Sequence, residues 1–244
     1  MTLAIGGMVP FSTLDYPGRL AAVVFCQGCP WSCSYCHNPH LQPIRPARDW
    51  VDVRDELRRR RGLLEAVVFS GGEPLMQPGL ARALAEIRMM GFRTGLHTSG
   101  HDPEHLERLL PRLDWVGLDI KAPRQRYPDI TGSLGSGEQA WMSLARLQEG
   151  GTRHEVRSTW HPRLLHAGDL LELAASLAES GVQEWVIQVF RAEGCGNEEL
   201  PPCEFPPELL ETLATRFPGR IRLRSGSSWS LPALAQEFAL PGWK

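Results

Sequence analysis

The sequence predicts an α/β fold built on a parallel sheet or barrel. Short apolar runs rich in β-branched residues recur along the chain. Each is followed by a stretch with helical periodicity, and polar residues gather at the carboxyl ends of the runs.

The elements follow in order. AAVVF (21–25) reads as a strand buried on both faces. DVRDELRRRR (52–61) is helical, stops at Gly62, and places its arginines at the favourable end of the helix dipole. EAVVFS (65–70) is the second strand. GLARALAEIRMM (79–90) is the second helix and stops at Gly91. TGLHT (94–98) and WVGLDI (115–120) are strands separated by the helical PEHLERLLPRL. GSLGSGE (132–138) reads as a loop, EQAWMSLARLQEGG as a helix, and EVRSTW (155–160) as the fifth strand. GDLLELAASLAESG and EWVIQVF (184–190) complete another unit. RAEGCGNEELPPCEFPP (191–207) reads as a loop. PELLETLATRF and IRLRS (221–225) add a last helix and a seventh strand. No stretch looks like a linker. The expectation is one domain over residues 1–244, with a core from about 18 to 190 and a C-terminal extension over about 191–244.

Ligands of such folds bind at the carboxyl ends of the strands. Ser70-Gly71-Gly72-Glu73-Pro74 follows the second strand, Thr98-Ser99-Gly100 the third, and Asp119 and Lys121 close the fourth. Arg157 and Thr159 lie late in the fifth strand and Gln188 late in the sixth. Alternation along EVRSTW sends Val156 and Trp160 outward and Glu155, Arg157 and Thr159 into the lumen. Polar inward residues predict an open barrel with a wet or ligand-filled interior.

Composition narrows the function. Lys plus Arg is 26 and Asp plus Glu is 28, so the net charge is 26 − 28 = −2. That balance predicts no general nucleic-acid partner. No apolar run is long enough to span a bilayer, and MTLAIGGMVPFSTLDYPG has neither the charged region nor the long apolar region of a signal peptide. The expected location is the cytoplasm, where clustered thiols stay reduced.

The thiols cluster in FCQGCPWSCSYCHN, as Cys29-x3-Cys33-x2-Cys36 with Cys26 just upstream. The alternatives are a zinc knot, a disulfide pair, a redox dithiol or an iron–sulfur cluster. Zinc and ferredoxin sites take four ligands, and Cys26 as the fourth would leave the polar strand ends without a task. Three thiolates on a [4Fe–4S] cube leave one iron open.

With Tyr35 the pattern becomes Cys-x3-Cys-x-aromatic-Cys, and GGEP follows one strand later. Together they resemble the radical S-adenosylmethionine (SAM) enzymes. IGGMVPFSTLDYPGRLAAVVFCQGCPWSCSYCHNP resembles the opening of the anaerobic ribonucleoside-triphosphate reductase activating proteins. More distantly it resembles the pyruvate formate-lyase activating enzymes. The likeness covers residues 5 to about 190 and is strongest through 75.

The resemblance implies a partial (β/α)6 barrel. It implies Cys29, Cys33 and Cys36 as cluster ligands, with Cys26 a small buried residue. Tyr35 and His37 would line the adenine of SAM, and Gly71, Gly72 and Glu73 would meet its amino group. Thr98, Ser99, Asp119 and Lys121 would lie near SAM, with Arg157 and Gln188 as lumen candidates for its carboxylate or ribose. HTSG stands where the pyruvate formate-lyase activases have DTNG, so His97 replaces an aspartate that helps hold a monovalent cation there. Cys195 and Cys203 are expected to be free thiols. His161, His166 and Arg58–Arg61 are expected at the surface.

The implied chemistry is the cofactor's. An electron from the reduced cluster cleaves SAM to methionine and a 5′-deoxyadenosyl radical, which takes a hydrogen atom from a glycine of a partner enzyme. No side-chain acid or base is required. The expected partners are a glycyl-radical enzyme, in first place an anaerobic ribonucleotide reductase, and a low-potential donor such as flavodoxin or ferredoxin. The alternatives are a pyruvate formate-lyase-type activase and a radical SAM enzyme acting on a small molecule, 7-carboxy-7-deazaguanine synthase-like. A pure electron carrier would leave GGEP without a function.

Overall fold

The computed structural model describes residues 3–226 and 228–230. Strand β1 (Ile5–Ser12) runs antiparallel to β2 (Ala21–Cys26). From β2 the strands β3 (Ala66–Gly71), β4 (Arg93–Thr98), β5 (Trp115–Asp119), β6 (His154–Trp160), β7 (Glu184–Val189) and β8 (Arg220–Ser225) pair in succession, all parallel. A short β9 (Ser228–Ser230) returns antiparallel to β8. The helices are α1 (Trp50–Arg59), α2 (Leu80–Met89), α3 (Pro103–Leu109), α4 (Tyr127–Thr131), α5 (Ser136–Gly150), α6 (Ala167–Glu179) and α7 (Pro207–Arg216). Sheet order follows chain order, so each crossover joins neighbours, the arrangement of a partial barrel. Six strand–helix units lead into β8, the seventh parallel strand that IRLRS predicts. The expected extension beyond residue 230 lies outside the described residues.

Three elements differ from the expectation. β1 is a strand although IGGMVPFS lacks a β-branched run. It pairs through its backbone along the edge of β2, with two register shifts. α5 begins at Ser136, inside the glycine-rich stretch read as a loop. A Cβ on Gly137 would lie 2.5 Å from the Arg124 carbonyl oxygen, so this glycine lets the first helical turn pack tightly. α4 was not expected; it is one turn that stops at Gly132 with φ 67°.

The alternation of the strands builds two cores. Ala22, Val24, Val67 and Phe69 face the helices and join the main core with Leu57, Leu84 and Ile87. Ala21, Val23, Ala66 and Val68 face inward and meet Tyr16 and Trp115, whose rings lie 5.5 Å apart. Gly95 makes room for this plug, since a Cβ there would stand 3.1 Å from the Tyr16 ring. The plug closes the lumen beside the amino halves of β2 and β3, while Glu155 near the start of β6 meets Arg222 of β8 outside the cavity. The polar lumen residues that the sequence predicts are therefore not confined to one end of the strands.

Candidate functional site

A cavity of about 470 Å³ opens at the carboxyl ends of the strands. All the predicted cofactor residues line it except Glu73. Cys29, Cys33, Tyr35, Cys36 and His37 come from the loop after β2, Gly71 and Gly72 from the end of β3, and Thr98 and Ser99 from the end of β4. Asp119, Lys121, Arg157 and Gln188 come from β5, its end, β6 and β7.

The cysteine loop is held by backbone bonds. Gly28 and Cys29 donate to Leu41 and Gln42, while Ser32 and Ser34 donate to Thr131 and Ile130 at the end of α4, each at 3.0 Å. Cys26 lies on the outward face of β2, fully buried among core residues and away from the cavity. Gly71 and Gly72 pack on the start of this loop. A Cβ on Gly71 would lie 2.3 Å from the Cys26 oxygen, and one on Gly72 2.4 Å from the Gly28 oxygen. Gly71 also has φ 115°. Both glycines thus serve the approach of two backbones.

Glu73 is buried beneath the cavity wall, with 1% of its surface exposed. It accepts hydrogen bonds from Leu75 N (2.9 Å), Thr98 Oγ1 (2.6 Å), Ser99 N (2.8 Å) and Ser99 Oγ (2.5 Å). Its carboxylate ties the third loop to the second and holds Thr98 and Ser99 in place.

On the opposite wall, Arg157 donates to Asp119 at 3.0 Å and to the Gly117 carbonyl at 3.1 Å. A Cβ on Gly117 would stand 2.7 Å from the Arg157 guanidinium, so glycine in mid-strand makes this crossing possible. Lys121 stands 3.4 Å from Asp119 and 5.4 Å from the centre of the Tyr35 ring. Burial raises the pKa of the Asp119 carboxyl, but Arg157 and Lys121 outweigh it and hold it below the usual range. Burial opposes the Lys121 charge, yet Tyr35, Cys33 and Asp119 hold its pKa well above the ordinary value. His97 donates to the Asp15 carbonyl at 2.8 Å, and burial and then Arg157 keep its ring neutral.

The donor set fits an iron–sulfur cluster. Cys29, Cys33 and Cys36 all line this cavity while Cys26 does not, and burial raises the Cys29 and Cys33 thiols, a cost that bound iron would offset. Among the described residues no three His, Cys, Asp or Glu side chains close around a single ion. The thiols spread along the cavity wall instead. Tyr35 lines the cavity, and its buried hydroxyl has no hydrogen-bond partner among the described residues.

Four charged cavity residues had no role in the sequence reading. Asp15 lies in the quoted FSTLDYPG stretch, Arg191 and Glu193 in a stretch read only as loop, and Arg224 at an inward position of IRLRS. Period-two alternation in that last strand was the available signal for Arg224. Cys195 and Cys203 form no disulfide. His166 is exposed at the start of α6, but His161 is not a surface residue. It is 1% exposed, lies edge-on to Phe190 and bonds to the Pro201 carbonyl at 2.9 Å, because the 191–205 segment folds over it. No helix among the described residues is long and apolar enough to cross a membrane.

The model of the Radical SAM superfamily matches residues 23–163. A protein of Methanocaldococcus jannaschii, MJ1227, described provisionally as a glycyl-radical enzyme activating enzyme, is 27% identical over 216 residues, 85% of this chain and 88% of its own. The pyruvate formate-lyase-activating enzyme of Clostridium pasteurianum is 35% identical over 127 residues, 49% of this chain and 53% of its own. This chain thus aligns with about half the length of that enzyme. The crystal structure of Streptococcus suis SuiB bound to S-adenosylmethionine superposes with a TM-score of 0.64 at 14% identity, over 82% of this chain and 48% of that one. That likeness concerns the fold alone.

Proposed function

The chain belongs to the radical SAM superfamily, and we propose that this enzyme activates a partner protein by generating a glycyl radical on it. It uses a [4Fe–4S] cluster and SAM. The observation that carries the proposal is that the likeness to MJ1227, described as an activating enzyme, extends over 85% of this chain and 88% of that one. The open polar mouth of the cavity supports the same reading, since a polypeptide loop can enter it.

Cys29, Cys33 and Cys36 would hold the cluster, and Thr98 and Ser99 with the Gly71–Gly72 backbone would face SAM. Once bound there, the cluster and SAM would supply one-electron reductive cleavage of the sulfonium and hydrogen-atom abstraction from a glycine α-carbon. The residues of the chain position and shield. Tyr16 and Trp115 block water from the amino ends of the strands. Asp119 pairs with both Arg157 and Lys121, which leaves this wall one net positive charge suited to an anionic group of a ligand. The mouth, where Asp15, Arg191 and Glu193 stand, is left for the partner to close. Glycine suits such a target because its chain is least bulky.

The finer reading is that the partner is an anaerobic ribonucleotide reductase, that the electron comes from a flavodoxin or ferredoxin, and that the complex works in the cytoplasm. The likeness of IGGMVPFSTLDYPG to the opening of the reductase activating proteins supports it. The test is EPR of reduced enzyme, SAM and candidate reductase, with the target glycine replaced by alanine as control. A radical doublet with the native reductase alone is expected. No radical on any glycyl-radical enzyme, together with SAM cleavage stimulated by a small molecule, would overturn the activase reading.

A further inference from the structure

Residues 191–205 form a strap between the end of β7 and α7, and it is anchored at both sides. On the barrel side, His161 bonds to the Pro201 carbonyl, the Arg163 guanidinium donates to the Glu199 carbonyl, and Phe205 packs on Trp160 with ring centres 4.6 Å apart. On the other side the strap lies against the cysteine loop. His37 donates to the Arg191 carbonyl at 2.8 Å, and Gly194 approaches so closely that a Cβ would stand 2.8 Å from the His37 oxygen.

At the centre of this contact is Asn197. Its Nδ2 donates to the Ser34 carbonyl at 3.1 Å, across 163 residues of sequence. Its Oδ1 accepts from Glu199 N at 3.1 Å, which fixes the amide orientation. Ser34 lies between Cys33 and Cys36, and its own N–H is held by the Ile130 carbonyl at 3.0 Å. The peptide groups that aim two of the three thiols are therefore clamped from α4 on one side and from the strap on the other.

We propose that Asn197 is a positioning residue for the iron–sulfur cluster. Its amide pins the Ser34 carbonyl, so the Cys33–Cys36 turn presents both sulfurs in one geometry and its peptide dipoles in one orientation. Hydrogen bonds and dipoles around a cluster set its potential and its retention. The inference concerns cluster binding and stands whether the enzyme's substrate is a protein or a small molecule.

Two substitutions separate this role from a local structural one. Asn197→Ala removes both hydrogen bonds. Asn197→Asp keeps the shape and the acceptor for Glu199 N, but loses the donor to Ser34 and sets a carboxylate oxygen against a carbonyl. Anaerobically reconstituted wild type and variants are compared by the rate of iron release to a chelator, the EPR spectrum of the reduced cluster and its midpoint potential. Both variants should release iron about three- to tenfold faster, the effect of one neutral hydrogen bond, with altered g-values and a shifted potential. An Asn197→Asp protein that matches wild type in iron release, EPR and potential would overturn the proposal, since Asn197 would then serve only its own turn.

Discussion

The two halves of the barrel are built differently. Through β2 and most of β3 the inward and outward positions are apolar, and function sits at the strand ends and in the loops beyond them. β2 and β3 bury Ala21–Val24 and Ala66–Phe69 completely or nearly so. From β5 to β8 the strands themselves carry charge into the lumen: Asp119, Glu155, Arg157, Arg222 and Arg224. Arg157 meets Asp119 on the neighbouring strand at 3.0 Å, and Arg222 on β8 reaches past β7 to Glu155 on β6 at 2.8 Å. The first half can display contiguous motifs because backbone at a strand end is free to curl around a ligand. The second half works through single side chains whose meaning depends on the strand beside them.

The contrast can be broken most severely at the cysteines. Cys29→Ala, Cys33→Ala or Cys36→Ala should each abolish the [4Fe–4S] cluster, measured as iron and sulfide content after reconstitution. Cys26→Ala should keep it, because that side chain points outward into the core. Loss of the cluster in Cys26→Ala would show that the outward face of β2 also serves the site.

Next come the carboxylates that tie each half together. Glu73→Ala strands the Thr98 and Ser99 donors in a buried site and should cost about 3 kcal/mol of stability as well as SAM affinity. Arg157→Leu leaves Asp119 with Lys121 alone. It should cost about 2 kcal/mol, discounted because a third of the Asp119 side chain is open to solvent. Urea titrations measure both. An Arg157→Leu loss larger than that of Glu73→Ala would reverse the ranking of the two halves.

The smallest effect lies where the halves meet. His97, on β4, is kept neutral by burial and by Arg157 from β6. Its folded pKa is depressed, so the folded state binds fewer protons than the unfolded one below pH 6.5. Stability is thus present above that pH and is lost as pH falls toward the folded pKa. His97→Gln should remove about 1–2 kcal/mol of the stability difference between pH 7.5 and pH 5. Identical pH profiles for variant and wild type would mean that neither burial nor Arg157 holds His97 neutral in the folded state.

The sequence by itself determined most of the strand–helix order and brought most of the cavity residues into view, the candidate ligands Cys29, Cys33 and Cys36 among them. These are short-range properties: β-branched runs, helix periodicity, and motifs whose members lie within a few residues on one loop. It did not determine that Glu73 lies behind the wall, holding Thr98 and Ser99 rather than lining the cavity. That depends on how β3 and β4 bring their loops together. Nor did it show that Gly117 leaves space for Arg157, that Tyr16 and Trp115 plug one end of the lumen, or that His161 is covered. Asn197 reaches Ser34 only because the strap crosses from the end of the barrel back to the first loop. Such contacts join residues far apart in the chain. Pattern along the chain reports which face a residue takes, but only the assembled sheet decides which other residue waits on that face.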